Sequence, residues 1–403
     1  MEARDLREDE PRRLTPPVAV VLGGLSAFGP LSIDMYLPAL PRLAADFHVP
    51  PPAVQLTVSA CLIGLGLGQL VAGPVSDALG RRRPLLIGVF LYALASVAAA
   101  VAPSLGVLVA MRFLQGLAGA AGIAIARAVV RDLFEGREVA RVFALLMLVT
   151  GVAPVAAPVL GGQILRFADW RVVFLVLGAI GVLIAAGAIR WLPESLPAER
   201  RRAGGVQEAA RGFRELASSR QFMGCALSLA LTMTVLFSYI SASPFVLQTQ
   251  YGLTAQQFSL VFAANSIAIV GGSQLSAHLA RRVAIQRLLV AGLATSVVAA
   301  SLLLVSAVAW LGLVAFLVPL ALAIGSLGLV IPNASALAVL PHPRSAGAAS
   351  ARLGALQFAV GALVAPLTGL AVGTPATAMA LVIAAAALAG FLAFATLAGV
   401  RTR

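Results

Sequence analysis

Asp34 and Arg112 are ionisable residues inside long apolar stretches of this 403-residue sequence. Asp34 interrupts the apolar stretch 17–41, and Arg112 lies within the stretch 105–128. A charged group inside a membrane costs about 3 kcal/mol or more unless it is paired, protonated or open to a water-filled cavity. Burial favours the protonated form of a carboxyl, whereas a nearby cation favours the ionised form. We therefore expect Asp34 to take up and release protons as its surroundings change, with Arg112 as the coupled cation.

Asp34 and Arg112 are also predicted to lie at similar depths. At about 1.5 Å of rise per residue, each lies roughly 10 Å inside the outer boundary of its helix. Matching depth allows contact between them but does not establish it. Alternatively, Arg112 extends its guanidinium to the outer interface. Of the 16 acidic residues, Asp34 is the only one inside a predicted span.

The composition indicates an integral membrane protein. Hydrophobic residues make up 60% of the chain and charged residues only 11%, against about 25% charged in soluble domains. Crossing ~30 Å of hydrocarbon takes about 20 apolar residues in a helix. Twelve such spans are predicted, at 17–41, 53–73, 84–102, 105–128, 139–163, 171–192, 221–246, 256–278, 286–306, 311–336, 348–370 and 376–399.

The basic residues predict the orientation of these spans. All 29 are arginine; with the N-terminus inside, 23 fall in inner segments, three in outer segments and three within spans. Because arginine accumulates on the cytoplasmic side of membranes, both termini are expected in the cytoplasm of a bacterium, with the protein in its inner membrane. The net charge of +13 does not indicate nucleic-acid binding, because the arginines form no continuous basic face.

A longer polar segment divides the twelve spans into two groups of six. The predicted organisation is a cytoplasmic tail 1–16, a six-helix bundle 17–192, a cytoplasmic linker 193–220, a second bundle 221–399 and a short tail 400–403. Two repeated six-helix halves are typical of one large class of transporters. The predicted fold class is therefore all-α, with twelve transmembrane helices in two bundles.

The loop after the second span carries a motif with defined spacing. It consists of Gly73, Asp77, Gly80, Arg81 and Arg82. Glycines allow a tight turn and close helix approach, and a carboxylate accepts hydrogen bonds from a facing arginine or a helix N-terminus. A generic basic turn is the alternative. The spacing resembles the loop signature of the major facilitator superfamily, which implies a conformational latch for the outward-facing state. A second copy occurs in the other half, with Ser276 at the acidic position.

Two further segments resemble motifs of the same superfamily. Arg112, Gln115 and Gly116 match an R-x-x-Q-G pattern in the fourth span. The fifth span resembles, more loosely, the motif of the antiporter branch through Gly151, Pro154, Pro158, Gly161 and Gly162. That resemblance implies exchange rather than uptake. Prolines and small residues in this arrangement could instead serve helix bending and packing alone.

The segment from Asp34 to Pro41, Asp-Met-Tyr-Leu-Pro-Ala-Leu-Pro, resembles the Bcr/CflA group of drug–proton antiporters. The resemblance implies proton-coupled export of small hydrophobic drugs or antibiotics. The alternative is export of a metabolite such as an amino acid, nucleoside or sugar. A substrate site near mid-membrane between the halves has as candidates Asp34, Tyr36, Leu37, Arg112, Gln115, Phe237, Tyr239 and Asn265.

Enzymatic chemistry is not expected. The chain has no lysine with which to complete a P-loop, and no H-E-x-x-H, Ser–His or Cys–His arrangement. Cys61 and Cys225 lie in separate apolar stretches and are expected to be packed thiols rather than a disulfide or metal site. The expected partners are protons, a small hydrophobic substrate and lipid, with no cofactor and no obligate oligomer.

Overall fold

The computed structural model describes residues 14–201, 219–340 and 374–399, together with Leu353, Leu356 and Gln357. All regular structure within these ranges is helical. The helices are α1 Pro16–Asp34, α2 Leu40–Asp46, α3 Pro51–Leu79, α4 Arg82–Ala100, α5 Leu105–Leu133, α6 Gly136–Phe167, α7 Trp170–Trp191, α8 Arg220–Pro244, α9 Ala255–Leu279, α10 Ile285–Val308, α11 Leu313–Val339 and α12 Pro375–Phe394. Short turns of 3₁₀ helix (Leu37–Ala39, Ala198–Arg200) and π-helix (Phe245–Gln250, Ala395–Gly399) complete the described helical structure.

Eleven segments of the described ranges are long and apolar enough to cross a membrane. They begin within three residues of the predicted spans. The remaining predicted span, 348–370, lies outside the described residues except for the three named above. Several helices continue beyond their predicted ends, as α3 does to Leu79 and α5 to Leu133. Their last turns carry charged side chains, which a hydropathy pattern assigns to loops although the backbone remains helical.

The first span is present, but it is not the single helix predicted for 17–41. Helix α1 ends at Asp34, a 3₁₀ turn follows, and α2 begins at Leu40. Pro38 has no N–H to donate to the carbonyl of Asp34, four residues earlier, and its ring crowds that carbonyl. Asp34 therefore lies at a break in the span, where the regular backbone bonding of the helix stops.

The same glycine-mediated packing occurs twice in the chain. A side chain at Gly64 or Gly116 would collide with the backbone of the facing helix in the α3–α5 pair. Gly272 and Gly328 have the corresponding role between α9 and α11. Helices that lack a Cβ at the contact approach closely and gain van der Waals contact. We call α1–α7 the N-terminal half and α8–α12 the C-terminal half of the molecule.

Successive helices run in opposite directions, so their connections alternate between two ends of the molecule. We call the end with residues 80–81, 134–135 and 280–284 the basic end, because most described arginines lie there. The opposite end has, in the described ranges, Arg42, Arg166 and Arg171. Four helices that start at the opposite end, α5, α7, α9 and α12, have side-chain caps. Thr254 and Gln257, for example, form a capping box at the start of α9, which satisfies two backbone N–H groups reciprocally.

Among the described residues, the two halves are joined mainly at the opposite end. Helix α6 packs against α9, and the break in the first span packs against α8 and α9. Three glutamine side chains donate to backbone carbonyls across the junction: Gln55 to Ser241 at 3.2 Å, Gln248 to Pro38 at 3.1 Å and Gln256 to Gly162 at 3.3 Å. Within the described residues, side-chain hydrogen bonds between the halves run from mid-helix to this end. The molecule is therefore closed at the opposite end.

Candidate functional site

Asp34 is buried at the junction of the two halves. The residue is 5% exposed, and its carboxyl has no hydrogen bond or ion pair within the described part of the chain. It lies at the break in the first span, which packs against α8 and α9 of the other half. A buried carboxyl without a partner is unfavourable when ionised, so this arrangement favours a proton on Asp34.

The opposing surface is formed by α8 and α9. The side-chain amide of Asn265 donates to the Tyr239 hydroxyl oxygen at 2.9 Å. The Tyr239 ring stacks on Phe262, with ring centroids 5.2 Å apart and an interplanar angle of 18°. Phe237, on the same helix as Tyr239, is also buried. Facing Asp34, the C-terminal half thus presents aromatic rings and one amide–hydroxyl pair.

Arg112 is completely buried, at 0% exposure, and has no carboxylate partner among the described residues. One Nη donates to the carbonyl of Ser32 at 2.7 Å, and the other donates to the side-chain oxygen of Gln115. The guanidinium carbon lies 4.2 Å from the ring centroid of Tyr36 and 5.6 Å from that of Phe174. Desolvated cation–π contacts of this kind contribute up to about 2 kcal/mol each. Arg112 is therefore held by dipoles and rings instead of by an anion.

The break in the first span explains why Ser32 is available to Arg112. The last carbonyls of a helix have no intrahelical donors, and α1 ends two residues after Ser32. The negative end of the helix dipole lies at this point, which favours a nearby cation. The same fold feature that isolates Asp34 therefore provides an acceptor for Arg112.

The sequence-based depths of Asp34 and Arg112 match, but the structure brings them together only indirectly. No ion pair joins them within the described residues. Arg112 contacts the backbone two residues before Asp34 on α1. This burial is compatible with the prediction that Arg112 functions in the membrane interior. The guanidinium does not extend to the outer interface, as the alternative proposed.

The predicted substrate residues divide into two sets. Gln115 donates to the Ser96 hydroxyl at 2.7 Å, and the Tyr36 hydroxyl lies 3.0 Å from that of Thr57. These contacts stay within the N-terminal half. Leu37 is buried at the 3₁₀ turn. The set closest to the junction comprises Asp34, Phe237, Tyr239 and Asn265.

The predicted antiporter motif on α6 contacts both the break and the other half. A side chain at Gly161 would collide with the carbonyl oxygen of Met35, and one at Gly162 with the hydroxyl of Ser259 on α9. The Pro154 carbonyl accepts from Ser266 of α9 at 3.2 Å. Pro158 is buried in α6, and a Cβ on Gly151 would meet only Val270, at 3.9 Å. Pro154, Gly161 and Gly162 therefore lie at contacts of α6 with the break or with α9.

A cluster of charges surrounds the turn between α3 and α4, and we call it the latch cluster: Ser76, Asp77, Gly80, Arg81, Arg82, Asp132, Glu194 and Ser195. Arg81 pairs with Asp77 and, at 2.8 Å, with Asp132 at the end of α5. Burial opposes the charge on Arg81, but hydrogen bonds and ion pairs with these two carboxylates raise the pKa of its guanidinium. The predicted loop signature is therefore assembled as an ion-pair network, while Asp77 remains 47% exposed.

Glu194 belongs to the latch cluster and was not predicted as a site residue. Its carboxylate accepts from the backbone N–H of Arg81 at 2.7 Å, of Leu196 at 3.0 Å and of Arg82 at 3.2 Å. Burial favours its protonated form, but these hydrogen bonds and the charge of Arg201 lower the pKa of the Glu194 carboxyl. No side-chain pattern in the sequence marks Glu194, because these partners are backbone N–H groups.

Only one of the two signature glycines contributes to the turn. Gly80 has φ of +90°, and a side chain there would meet the Glu194 carboxylate at 2.6 Å. Such a backbone conformation strongly favours glycine. Gly73 lies inside α3, and a Cβ at that position would meet no described atom within 4 Å. The expected close approach at Gly73 is therefore absent from the described ranges.

The second copy of the signature is neutral. Ser276 accepts a hydrogen bond from Asn333 of α11 at 2.7 Å. This pair joins α9 to α11, as Arg81 and Asp132 join the α3–α4 turn to α5. Ser276 replaces the acidic residue of the first copy, as the sequence predicts, and the described residues around it form no ion-pair network like that of Arg81.

Sequence comparisons identify close relatives. The family profile described as "Major Facilitator Superfamily" matches residues 22–366. The chain is 41% identical to "Uncharacterized MFS-type transporter YdgK" of Bacillus subtilis over 88% of each chain. It is 32% identical to "Bicyclomycin resistance protein homolog" of Haemophilus influenzae, over 86% of this chain and 87% of that one. It is 29% identical to "Multidrug resistance protein D" of Escherichia coli over 83% of each. These relatives confirm the resemblance to the Bcr/CflA type.

Solved structures share the fold. The nucleoside transporter NupG aligns with a TM-score of 0.76 at 13% identity, over 95% of this chain and all of that chain (100%). A D-xylose–proton symporter aligns with a TM-score of 0.71 at 15% identity, over 92% of this chain and 95% of that one. At these identities the likeness concerns the fold alone, and it confirms the predicted fold class of two six-helix bundles.

Proposed function

We propose that this chain, which belongs to the major facilitator superfamily, exports small hydrophobic compounds from the cytoplasm in exchange for protons, by alternating access. The observation that carries the proposal is Asp34, a buried carboxyl at a break in the first span that has no partner among the described residues. Relatives named for bicyclomycin and multidrug resistance support drugs as the substrate class. The protein acts in the bacterial inner membrane as a monomer, with both termini in the cytoplasm.

The basic end faces the cytoplasm in this proposal, because arginines accumulate on that side of bacterial membranes. The glutamine–carbonyl bonds then close the outer side. A molecule closed at its outer side can exchange substrate and protons only with the cytoplasm. Opening of the outer side requires these bonds to break, while the latch cluster keeps the inner ends of α3, α4 and α5 together.

Proton coupling follows from the electrostatics of Asp34. Its neutral form suits the buried position, and its ionised form requires water or a cation. A proton bound from the outside is therefore carried into the closed arrangement and released to the cytoplasm when substrate entry changes the surroundings of the carboxyl.

Arg112 has a positioning role in this mechanism. It holds the end of α1 through the Ser32 carbonyl, and it stacks on Tyr36, two residues after the end of α1. A change in charge at Asp34 alters the electrostatic balance at the same helix end. Arg112 thereby couples protonation of Asp34 to the angle between α1 and the 3₁₀ turn. Gly161 has no side chain and so allows the backbone at Met35 to lie close to α6.

The substrate is proposed to bind where Asp34 faces Phe237, Tyr239 and Asn265. Apolar walls with a few polar groups are typical of sites for drug-sized molecules. Tyr36, Leu37, Arg112 and Gln115 form the wall behind Asp34 and shape the site through packing.

The test is export in everted membrane vesicles energised with a proton gradient. Asp34→Asn keeps the size of the side chain and removes its titration, so gradient-driven export should fall to background. Asp169→Asn, at the exposed start of α7, is the matched control and should export normally. Circular dichroism and size-exclusion profiles check that both variants fold. Wild-type export by Asp34→Asn would overturn the proton-coupling role of this carboxyl.

A further inference from the structure

A cavity of about 540 Å³ opens at the basic end between α1, α4, α5 and α7. Its polar lining includes Arg82 and Arg190, and Trp191 borders it. None of the described residues that line it is acidic. The cavity therefore combines two positive charges with an aromatic ring and has no competing anion among its described walls.

Both arginines retain donors that no described residue uses. Arg82 donates one Nη to the carbonyl of Ile189 at 2.8 Å, while its buried Nε has no partner within the described ranges. Arg190 is exposed and makes no ion pair in the described part of the chain. Guanidinium groups bind phosphate with paired N–H donors. A phosphate-bearing anion is thus the ligand chemistry that this cavity fits.

The surroundings of the cavity match the boundary between headgroups and hydrocarbon. Trp191 is 46% exposed at the end of the span, and tryptophan favours membrane interfaces. Leu183 is seven residues before Arg190, so it lies on the same face of α7 about 10 Å deeper. Leu183 is exposed, as is Ile189, two residues before the end of α7. The charged residues at the ends of α4 and α7 thus border an apolar surface, which extends along α7 towards the middle of the membrane.

We propose that this cavity binds the headgroup of an anionic phospholipid. The phosphodiester lies between Arg82 and Arg190, and an acyl chain follows the exposed face of α7 past Leu183. Phosphatidylglycerol carries the required charge and chain.

The lipid site shares a backbone segment with the latch cluster. The N–H of Arg82 donates to Glu194 at 3.2 Å, while the side chain of Arg82 lines the cavity. A bound lipid restrains the start of α4 and the adjoining turn. Lipid binding at this site should therefore be specific, and it should also raise the thermal stability of the protein.

The experiment is a lipid titration of the purified full-length protein in detergent, followed by native mass spectrometry and thermal unfolding. Phosphatidylglycerol, phosphatidylcholine and inorganic phosphate are compared on the wild type, Arg190→Gln and Arg287→Gln. Arg287 is an exposed arginine at the basic end of α10 and serves as the matched control. Phosphatidylcholine binding and lipid-free stability report whether each variant is folded.

We expect the wild type to bind phosphatidylglycerol at least about five-fold more tightly than phosphatidylcholine. Arg190→Gln should weaken phosphatidylglycerol binding about five-fold and leave phosphatidylcholine binding unchanged, whereas Arg287→Gln should change neither. Equal affinity for the two lipids would overturn the proposal, as would an equal effect of both variants. Stabilisation by inorganic phosphate as large as that by phosphatidylglycerol would replace the lipid site with a free-anion site.

Discussion

The two halves of the molecule handle polarity differently. The N-terminal half buries Asp34 and Arg112 within the membrane and has an ion-pair network at its signature turn. At related places, the described part of the C-terminal half has neutral pairs: Tyr239 with Asn265, and Ser276 with Asn333. The glycine contacts between helices are nevertheless repeated in both halves.

This difference indicates a division of labour on a shared scaffold. Repeated packing gives the two halves a similar helical scaffold. Charge inside a membrane is costly and is retained where it has a function. We infer that the N-terminal half binds and releases the proton, whereas the C-terminal half supplies the surface against which the substrate binds.

The largest effect is expected from neutralising Arg112. Arg112→Met should abolish gradient-driven export while changing the free energy of unfolding by only about 1 kcal/mol, because relief from desolvation offsets the lost hydrogen bonds. Asn333→Leu, in the neutral half, should retain at least a third of wild-type export. Export in everted vesicles and thermal unfolding measure the two quantities. Equal loss of export in both variants would remove the proposed distinction between the halves.

The next effect concerns the backbone crossing at the break. Gly161→Ala places a methyl group against the Met35 carbonyl and should lower the free energy of unfolding by about 2 kcal/mol, as overpacking does. Gly151→Ala on the same helix meets only Val270, at 3.9 Å, and should stay within about 0.5 kcal/mol of wild type. Thermal unfolding in detergent compares them. Tolerance of Gly161→Ala would show that the break is not packed tightly against α6.

A smaller and pH-dependent effect is expected at Glu194. Because the pKa of its carboxyl is lowered in the folded protein, its contribution is complete above the ordinary pKa of about 4.3 and is lost as pH falls through the lower folded-state value. Glu194→Gln should therefore lower stability by about 1 kcal/mol at neutral pH, and the difference from wild type should shrink below pH ~4. Unfolding measured across pH tests this. A difference that is constant with pH would assign the effect to packing.

The smallest effect is expected at the closed end. Gln248→Ala removes one hydrogen bond across the junction, to Pro38, which is equivalent to about 1 kcal/mol or a five-fold population shift. Spin labels on cysteines placed at the exposed residues Ala45 and Leu311 report the separation of the halves at that end. The variant should show more of the longer distance. An unchanged distribution would mean that this bond does not hold the end closed.

Much of the fold was predictable because hydropathy reports directly on the membrane. The start of each described span lies within three residues of its prediction. Helix ends were less predictable, since charged side chains in the last turns of α3 and α5 do not stop the helix. The first span was predicted, but its break after Asp34 was not, although Pro38 and the missing N–H that it implies were visible in the sequence.

The site was predictable in its residues but not in their pairing. Burial of Asp34 and Arg112 followed from their apolar surroundings, whereas the partners of Arg112 depend on where α1 ends and how α5 is rotated. An acceptor such as the Ser32 carbonyl has no signature in the side-chain sequence. Glu194 was missed for a similar reason, because its partners are backbone N–H groups.

In the proposed mechanism, Asp34 releases its proton when substrate binds. Purified protein in weakly buffered detergent solution, mixed with an exported drug, should release protons that a pH-sensitive dye detects. The wild type should release about one proton per molecule at most, and Asp34→Asn should release none while still binding the drug. Equal proton release from the wild type and from folded, drug-binding Asp34→Asn would contradict the account.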